Sequence, residues 1–186
     1  MVGNEIDYHE LQKDVYSAAK KAFELVRKEH ADENFYAFGL STDSDAVTLI
    51  PISQSEQAFQ QLAEDYGESD LPLWLRWSPD EWLYWDVGAE YFNAVKQIVG
   101  AALYEDEGDE DFAERKRKFL DTFADALRKL DSEGFFGHGE ERDKVTLLLH
   151  ISDPSEYEEM LMLDYVRNLN PAAAYHSYEQ MFSGGV

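Results

Sequence analysis

The spacing of apolar residues along the chain predicts several amphipathic helices. The first is predicted over residues 6–28, with Asn4 as its N-cap. Its apolar stripe consists of Leu11, Val15, Ala18, Ala22 and Leu25. Similar stripes predict helices over 89–104, 112–130, 154–167 and 172–181. Ser53 and Glu56 form a capping-box pattern, which predicts one further helix that ends at Gly67.

Short runs of β-prone residues predict the strands. The runs 34–41 and 46–51 flank Thr42-Asp43-Ser44-Asp45, whose side chains favour a turn, so a hairpin is predicted there. Residues 73–77 predict a third strand. The segment Ser78-Pro79-Asp80-Glu81 then predicts a helix that Ser78 caps, with Glu81 reaching back to the Ser78 N–H.

The most apolar run of the chain, residues 144–151, predicts a central strand. Leu147 and Leu149 should lie on one face of this strand and Leu148 on the other, with both faces buried. The order of elements predicts an α+β fold, in which a small, mostly antiparallel sheet of about four strands packs with several helices. The 186 residues suit a single domain, with an acidic linker near residues 105–111.

Charge is the strongest compositional signal. The chain has 39 acidic and 16 basic residues, a formal net charge of −23. Between Glu29 and Val95 we count fourteen acids and one base, Arg76, a local balance of −13. Such a surface repels nucleic acids and anionic lipids and attracts basic proteins, and Asp43, Asp45 and Asp70 are candidate contacts. Solubility or adaptation to salt would explain the same acidity.

The sequence offers little for cofactors or secretion. Without cysteine, the chain has no disulfides, thiolate zinc sites or iron–sulfur clusters. We therefore expect no cofactor and no metal, and the scattered histidines agree with this. The N-terminal residues show no signal-peptide pattern, and no apolar run is long enough to span a bilayer. A cytoplasmic protein with no membrane partner is expected.

Motifs for enzymatic chemistry are missing from the sequence. Nucleophile-elbow, P-loop and dinucleotide-binding patterns are absent. Two carboxylates suffice for glycoside hydrolysis, and Asp80 and Glu81 follow Arg76 in the most aromatic part of the chain. A hydrolase that acts on a small molecule or carbohydrate through these residues is the alternative to a protein that only binds.

All four tryptophans lie within twelve residues: Trp74, Trp77, Trp82 and Trp85. Aromatic side chains around an arginine are typical of core centres and of binding hot spots. Trp77, Trp82, Trp85, Arg76 and Glu81 are therefore candidate binding residues. Arg76 and Arg142 should both be ion-paired near the core, because acids are so abundant. Phe135-Phe136 should act as a hydrophobic plug after a helix.

Three segments carry a family resemblance. They are Arg76-Trp77-Ser78-Pro79-Asp80-Glu81-Trp82, then Asp131-Ser132-Glu133-Gly134-Phe135-Phe136-Gly137 with Arg142, and Leu169-Asn170-Pro171. Together they resemble a bacterial family catalogued as domain of unknown function 4303. The resemblance runs from the first helix to Pro171. It implies a stand-alone bacterial cytoplasmic protein, similar to the acidic accessory and immunity proteins found near secreted toxins.

The sequence thus favours a non-enzymatic, acidic binding module that engages a basic protein. An immunity-type inhibitor or accessory protein is the form that the resemblance suggests. Trp82 and Trp85 would anchor the partner if either reaches the surface.

Overall fold

A four-stranded sheet organises the structure, a computed structural model that describes residues 6–67, 73–104 and 109–183. The strands are β1 (Phe35–Thr42), β2 (Ile50–Ser55), β3 (Tyr84–Trp85) and β4 (Thr146–Ile151). The helices are α1 (Tyr8–Glu29), α2 (Glu56–Tyr66), α3 (Leu73–Arg76), α4 (Asn93–Tyr104), α5 (Asp109–Ser132), α6 (Glu156–Leu169) and α7 (Ala172–Ser183). Short 3₁₀ turns cover Pro79–Glu81, Ala89–Phe92 and Arg142–Lys144. None of the helices described is long and apolar enough to cross a membrane.

The sheet is mixed. Its strand order is β3-β2-β1-β4, with β2 antiparallel to both β1 and β3, and β4 parallel to β1. The α+β class is confirmed, but the prediction of a mostly antiparallel sheet is wrong in this respect. The helices α2 to α5 lie between β1 and β4 in the chain, and a long connection of this kind allows β4 to return in the direction of β1.

Strand β4 lies at an edge of the sheet, so the prediction that it is central is wrong. The predicted burial of both its faces is confirmed. Leu147 and Leu149 pack in one core cluster with α1 and α5, and Leu148 packs in a second with Trp77 and Trp82. Helix α6 also packs on β4. An apolar strand therefore indicates that both its faces are covered, not that it is central. Strand β4 is an edge strand, but helices cover one of its faces and the tryptophan segment packs on the other.

Helix α1 packs against α5 and buries the predicted stripe except for Leu25, which is only half-buried. Its N-cap is Asp7, whose side chain accepts hydrogen bonds from the backbone N–H groups of His9 and Glu10, both at 3.0 Å. The predicted cap, Asn4, lies outside the described residues. Arg27 follows Phe23 by four residues on this helix, so it lies at the edge of the buried face and is half-buried, although it is a cation.

The hairpin forms, but its second strand begins later than predicted. Asp43 accepts hydrogen bonds from the backbone N–H groups of Asp45, Val47 and Thr48, and this network holds a longer turn. Strand β2 therefore runs through Ser53, so the predicted capping box of Ser53 and Glu56 is wrong. The N-cap of α2 is Ser55, whose side chain accepts a hydrogen bond from the Ala58 N–H at 2.9 Å. The predicted end of α2 at Gly67 is confirmed, where φ is +69°.

Residues 73–77 form no strand. Leu73–Arg76 is one helical turn, and the third strand is the short segment Tyr84–Trp85. A run of five residues is too short for its pattern to distinguish a strand from a helical turn. In the turn that forms, Trp77 packs on Tyr36. The predicted acidic linker also differs, because residues 109–111 belong to α5. Residues 105–108 lie outside the described residues.

Candidate functional site

The tryptophan segment divides into buried and exposed parts. Trp77 and Trp82 are each 4% exposed, with rings 5.5 and 6.3 Å from the Tyr36 ring in edge-to-face arrangements. Their indole N–H groups donate to Ser177 Oγ and to the Arg76 carbonyl, both at 3.1 Å. These two rings are core of the second cluster, so Trp82 does not reach the surface.

The remaining two tryptophans are more accessible. Trp74 is 50% exposed, and Leu83 in the same segment is 60% exposed. Trp85 is half-buried in β3, with its ring 6.3 Å from the His150 ring. The accessible apolar surface of the segment thus consists of Trp74 and Leu83, with a smaller part from Trp85. Neither Trp74 nor Leu83 was among the predicted contacts.

Arg76 is ion-paired near the core, as the sequence predicts. Its Nη1 donates to Glu56 Oε2 at 2.9 Å and its Nη2 to Oε1 at 2.5 Å, a bidentate pair. The guanidinium carbon lies 3.7 Å from the Tyr36 ring centroid. Burial opposes the charge of Arg76, but the bonds to Glu56 hold its pKa above the ordinary value. The single cation of the acidic segment is therefore neutralised within the structure.

Asp80 and Glu81 are both exposed, and each contacts a side chain from elsewhere in the chain. Glu81 accepts a hydrogen bond from Tyr66 at 2.9 Å, and Asp80 lies 3.5 Å from His150 Nε2. The prediction that Ser78 caps a helix is wrong, because its hydroxyl donates to the Trp74 carbonyl and three residues of 3₁₀ turn follow. Glu81 does not reach back to Ser78 and faces Tyr66 instead.

The predicted acidic contacts have different surroundings. Asp43 is partly buried, and its two oxygens are occupied by backbone N–H groups of its own turn. Asp45 is exposed. Asp70 lies outside the described residues. Asp43 is therefore primarily structural, whereas Asp45 can meet a partner.

Arg142 is also ion-paired in the core, as predicted, and it clamps two chain segments together. It bonds to Asp131 through Nε and to the Val145 carbonyl through Nη1, and its Nη2 donates to the Leu169 carbonyl at 2.9 Å. The same Nη2 lies 3.1 Å from Asn170 Oδ1. Because all these contacts are internal, Arg142 stabilises the fold at the end of α6. Binding at Arg142 is not supported by this geometry.

Sequence reasoning missed a cleft of about 680 Å³ where the end of α1, the start of β1 and the Arg142–Lys144 turn meet. We call it the Arg27 cleft, after one of its lining residues; the others that matter here are His30, Glu33, Tyr36, Glu56, Glu141 and Lys144. The sequence gives no signal for it, because Arg27 lies opposite the predicted apolar stripe of the first helix. The lining residues come from separate elements, so their spacing in the chain carries no pattern.

A hydrogen-bond network borders the Arg27 cleft. Tyr84 lies 2.7 and 2.8 Å from the two oxygens of Glu33, to which its hydroxyl donates, and Ser55 also donates to that carboxylate. His30 Nδ1 lies 3.2 Å from the Tyr84 oxygen. Burial, and then the bond to Glu33, raises the pKa of Tyr84. Tyr84 therefore stays a neutral donor at physiological pH, and Glu33 is an occupied acceptor.

A second cleft, of about 440 Å³, lies between α5 and α6 and is lined by Phe112, Leu120 and Tyr157 among others. Neither of the two clefts is lined by a tryptophan, Asp80 or Glu81. Among the described residues, no group of three or more His, Asp or Glu side chains could hold a metal ion.

The comparisons with known proteins give a family and no activity. No curated protein and no solved structure matches the chain significantly. Residues 15–171 match the family described as Domain of unknown function (DUF4303). The match includes all three segments on which the sequence resemblance rests, and it covers most of the chain. The chain therefore belongs to the DUF4303 family.

Proposed function

We propose that this protein is a non-enzymatic binding module whose acidic surface between Glu29 and Val95 engages a basic protein. One observation carries the proposal. The single cation of this segment, Arg76, is neutralised by Glu56 and stacked on Tyr36, so it offers no free positive charge to a partner. The exposed acids of the segment are left without a competing cation from the same segment.

The acids available for docking are those that are exposed and serve no structural role. Asp45, Glu64, Asp65 and Glu90 fit this description; the side chain of Asp65 only meets Gln61 at 3.4 Å on its own helix. Long-range attraction between such a surface and a basic partner speeds association and selects against acidic proteins. Asp43 contributes charge while it holds its turn.

The short-range contact is assigned to the exposed apolar residues of the same segment. Trp74 and Leu83 are at least half exposed, and Tyr66 and Tyr91 are also exposed, whereas Trp85 is only partly exposed. Aromatic anchors inside a polar surround dominate binding energies at protein interfaces. The anchor role thus moves from Trp82, which is core, to Trp74.

The alternative of a hydrolase has less support. Asp80 and Glu81 are exposed and already contact His150 and Tyr66, and neither lines one of the two clefts. A hydrolase of this type needs two carboxylates that face each other across a bound substrate. A bacterial cytoplasmic location and a role as an immunity-type inhibitor or accessory protein belong to the proposal, and the identity of the partner tests both.

Two charge variants of equal net charge test the proposal. The segment-reversed variant carries Asp45→Lys, Glu64→Lys, Asp65→Lys and Glu90→Lys. The matched control variant carries Glu24→Lys, Glu140→Lys, Asp143→Lys and Glu159→Lys, four acids that are also exposed but lie outside the segment.

Wild type and both variants are immobilised as bait for a lysate of the host at low salt, and bound proteins are eluted with a salt gradient. We expect one basic protein to be retained by the wild type and by the matched control variant, and to be lost from the segment-reversed variant. Equal loss from both variants, or retention of acidic and basic proteins alike, contradicts the proposal.

A further inference from the structure

Arg27 is a half-buried guanidinium that pairs with no carboxylate among the described residues. Its Nη1 donates to the Phe135 carbonyl at 2.8 Å, and its guanidinium carbon lies 4.5 Å from the Phe38 ring and 4.8 Å from the Phe135 ring. Arg76 and Arg142, in contrast, each bond a carboxylate. Arg27 thus has no carboxylate partner among the described residues, although the chain has 39 acids.

An unpaired cation in this position costs stability, because burial removes water that the aromatic rings only partly replace. Burial accordingly lowers the pKa of Arg27. A guanidinium carries five N–H donors, of which Arg27 uses one, on Nη1. Its Nε and Nη2 make no hydrogen bond within the described residues, and neither is among the buried unsatisfied atoms, so both remain accessible.

The surroundings of these free donors carry charge of both signs. Lys144 also lines the Arg27 cleft, and it is exposed with no ion pair within the described residues. The carboxylates of Glu33 and Glu56 line it too: Glu56 is neutralised by Arg76, and Glu33 keeps its charge but accepts hydrogen bonds from the hydroxyls of Ser55 and Tyr84. Glu141 is the exposed acid that remains on the lining.

The cleft also has an aromatic side. The half-buried Phe35 contributes to its lining, and its volume of about 680 Å³ is typical of small-molecule sites. We propose that the Arg27 cleft binds a small organic anion. The carboxylate or phosphate of this ligand bonds the Arg27 fork and Lys144, and its aromatic part lies against Phe35. Most of its lining residues belong to the Glu29–Val95 segment, but the site does not depend on the docking of a basic protein.

The probes for this site are phenyl phosphate, benzoate and the neutral analogue benzyl alcohol, each titrated into ¹⁵N-labelled protein at constant ionic strength. We expect saturable shifts of the Arg27 Nε–Hε signal and of the amides of residues 30–36 and 142–145 with one or both anions, and none with benzyl alcohol. The ratio of the two anion affinities identifies the preferred head group. Equal shifts with benzyl alcohol, or no saturable shift up to about 10 mM of either anion, overturn the proposal.

Three variants then locate the contact. Arg27→Lys keeps the charge but loses the planar fork, so affinity should fall about tenfold. Lys144→Gln should weaken binding severalfold, and its exposed position makes it safe for folding even if Arg27→Lys is not. Lys21→Gln, an exposed position on the same helix, should bind like the wild type. Wild-type affinity in both Arg27→Lys and Lys144→Gln, or equal weakening by Lys21→Gln, overturns the site.

Discussion

The side chain of Asn170 forms both hydrogen bonds that a neighbouring strand would give to Leu147. Its Oδ1 accepts from the Leu147 N–H at 2.8 Å, and its Nδ2 donates to the Leu147 carbonyl at 2.8 Å. Leu147 lies on the edge strand β4, where backbone groups would otherwise lack a partner. Arg142 donates to the same Asn170 oxygen, so the Leu-Asn-Pro and Arg142 motifs form one structural clamp.

Replacing Asn170 with alanine should destabilise the protein by about 2–5 kcal/mol, because buried backbone groups of Leu147 and the Val166 carbonyl lose their partner. The control is Asn168→Ala, an exposed asparagine on the same helix, which should cost under about 0.5 kcal/mol. Urea denaturation measures both. Equal midpoints for the two variants would show that the clamp contributes no stability.

Arg76→Lys should cost about 1–2 kcal/mol, because lysine cannot hold Glu56 with two parallel bonds or lie flat on Tyr36. Arg128→Lys is the matched control, since Arg128 and Asp125 form an exposed pair whose side chains are each 50% accessible. Its cost should stay below about 0.5 kcal/mol. Thermal and chemical denaturation compare the two, and an equal cost would mean that the Arg76 pair is an ordinary surface pair.

Leu148→Ala should cost about 2–5 kcal/mol, as for other deletions in a packed core. The exposed Leu83→Ala should be nearly neutral for stability. Native-state hydrogen exchange gives an independent measurement, because the amides of residues 146–151 should be strongly protected. Fast exchange across this segment would contradict the burial of both faces of β4.

His150 should make stability depend on pH. Burial lowers its pKa in the folded protein, and the nearby Asp80 only partly opposes this. As pH falls below about 6.5, the unfolded chain therefore binds more protons than the folded protein. The free energy of unfolding then decreases, by up to about 1.4 kcal/mol per pH unit. The unfolding free energy of His150→Gln relative to wild type should therefore rise from pH 7 to pH 5. A difference that stays flat between pH 7 and pH 5 for His150→Gln would refute the prediction.

Much of the fold follows from sequence periodicity, because the stripes of α1 and α5 and the apolar run of β4 reflect burial directly. The position of β4 at an edge could not be predicted, since covered faces do not specify how many strands flank a strand. Ser78 shows another limit. Its pattern suits a helix cap, but its hydroxyl donates to the Trp74 carbonyl, and only a 3₁₀ turn follows.

The candidate sites were harder to predict from the sequence than the fold. Arg76 and Arg142 were predicted to be ion-paired, because any half-buried cation in so acidic a chain should find a carboxylate. Arg27 departs from this expectation, and only the assembled structure reveals that it pairs with no carboxylate among the described residues. The exposure of Trp74 and the burial of Trp82 also depend on tertiary packing, which the sequence spacing of tryptophans does not encode.

Binding kinetics can distinguish the short-range apolar contacts of the acidic surface from its long-range charge attraction. Trp74→Ala and Leu83→Ala should raise the off-rate of the partner and leave the salt dependence of the on-rate unchanged, because these side chains act only at short range. Surface plasmon resonance with the partner captured by the wild-type bait measures both rates. A changed salt dependence in these variants would mean that they disturb the acidic surface itself.

The most direct test of the docking proposal is the on-rate of that partner as a function of salt. For the wild type and the matched control variant, we predict a fall of at least about tenfold as salt rises from about 10 to about 200 mM, while the screening length shrinks from about 30 Å to about 8 Å or less. The segment-reversed variant should associate slowly at low salt and change little. Equal on-rates for the two variants, or an on-rate of the wild type that salt does not alter, would contradict the proposal.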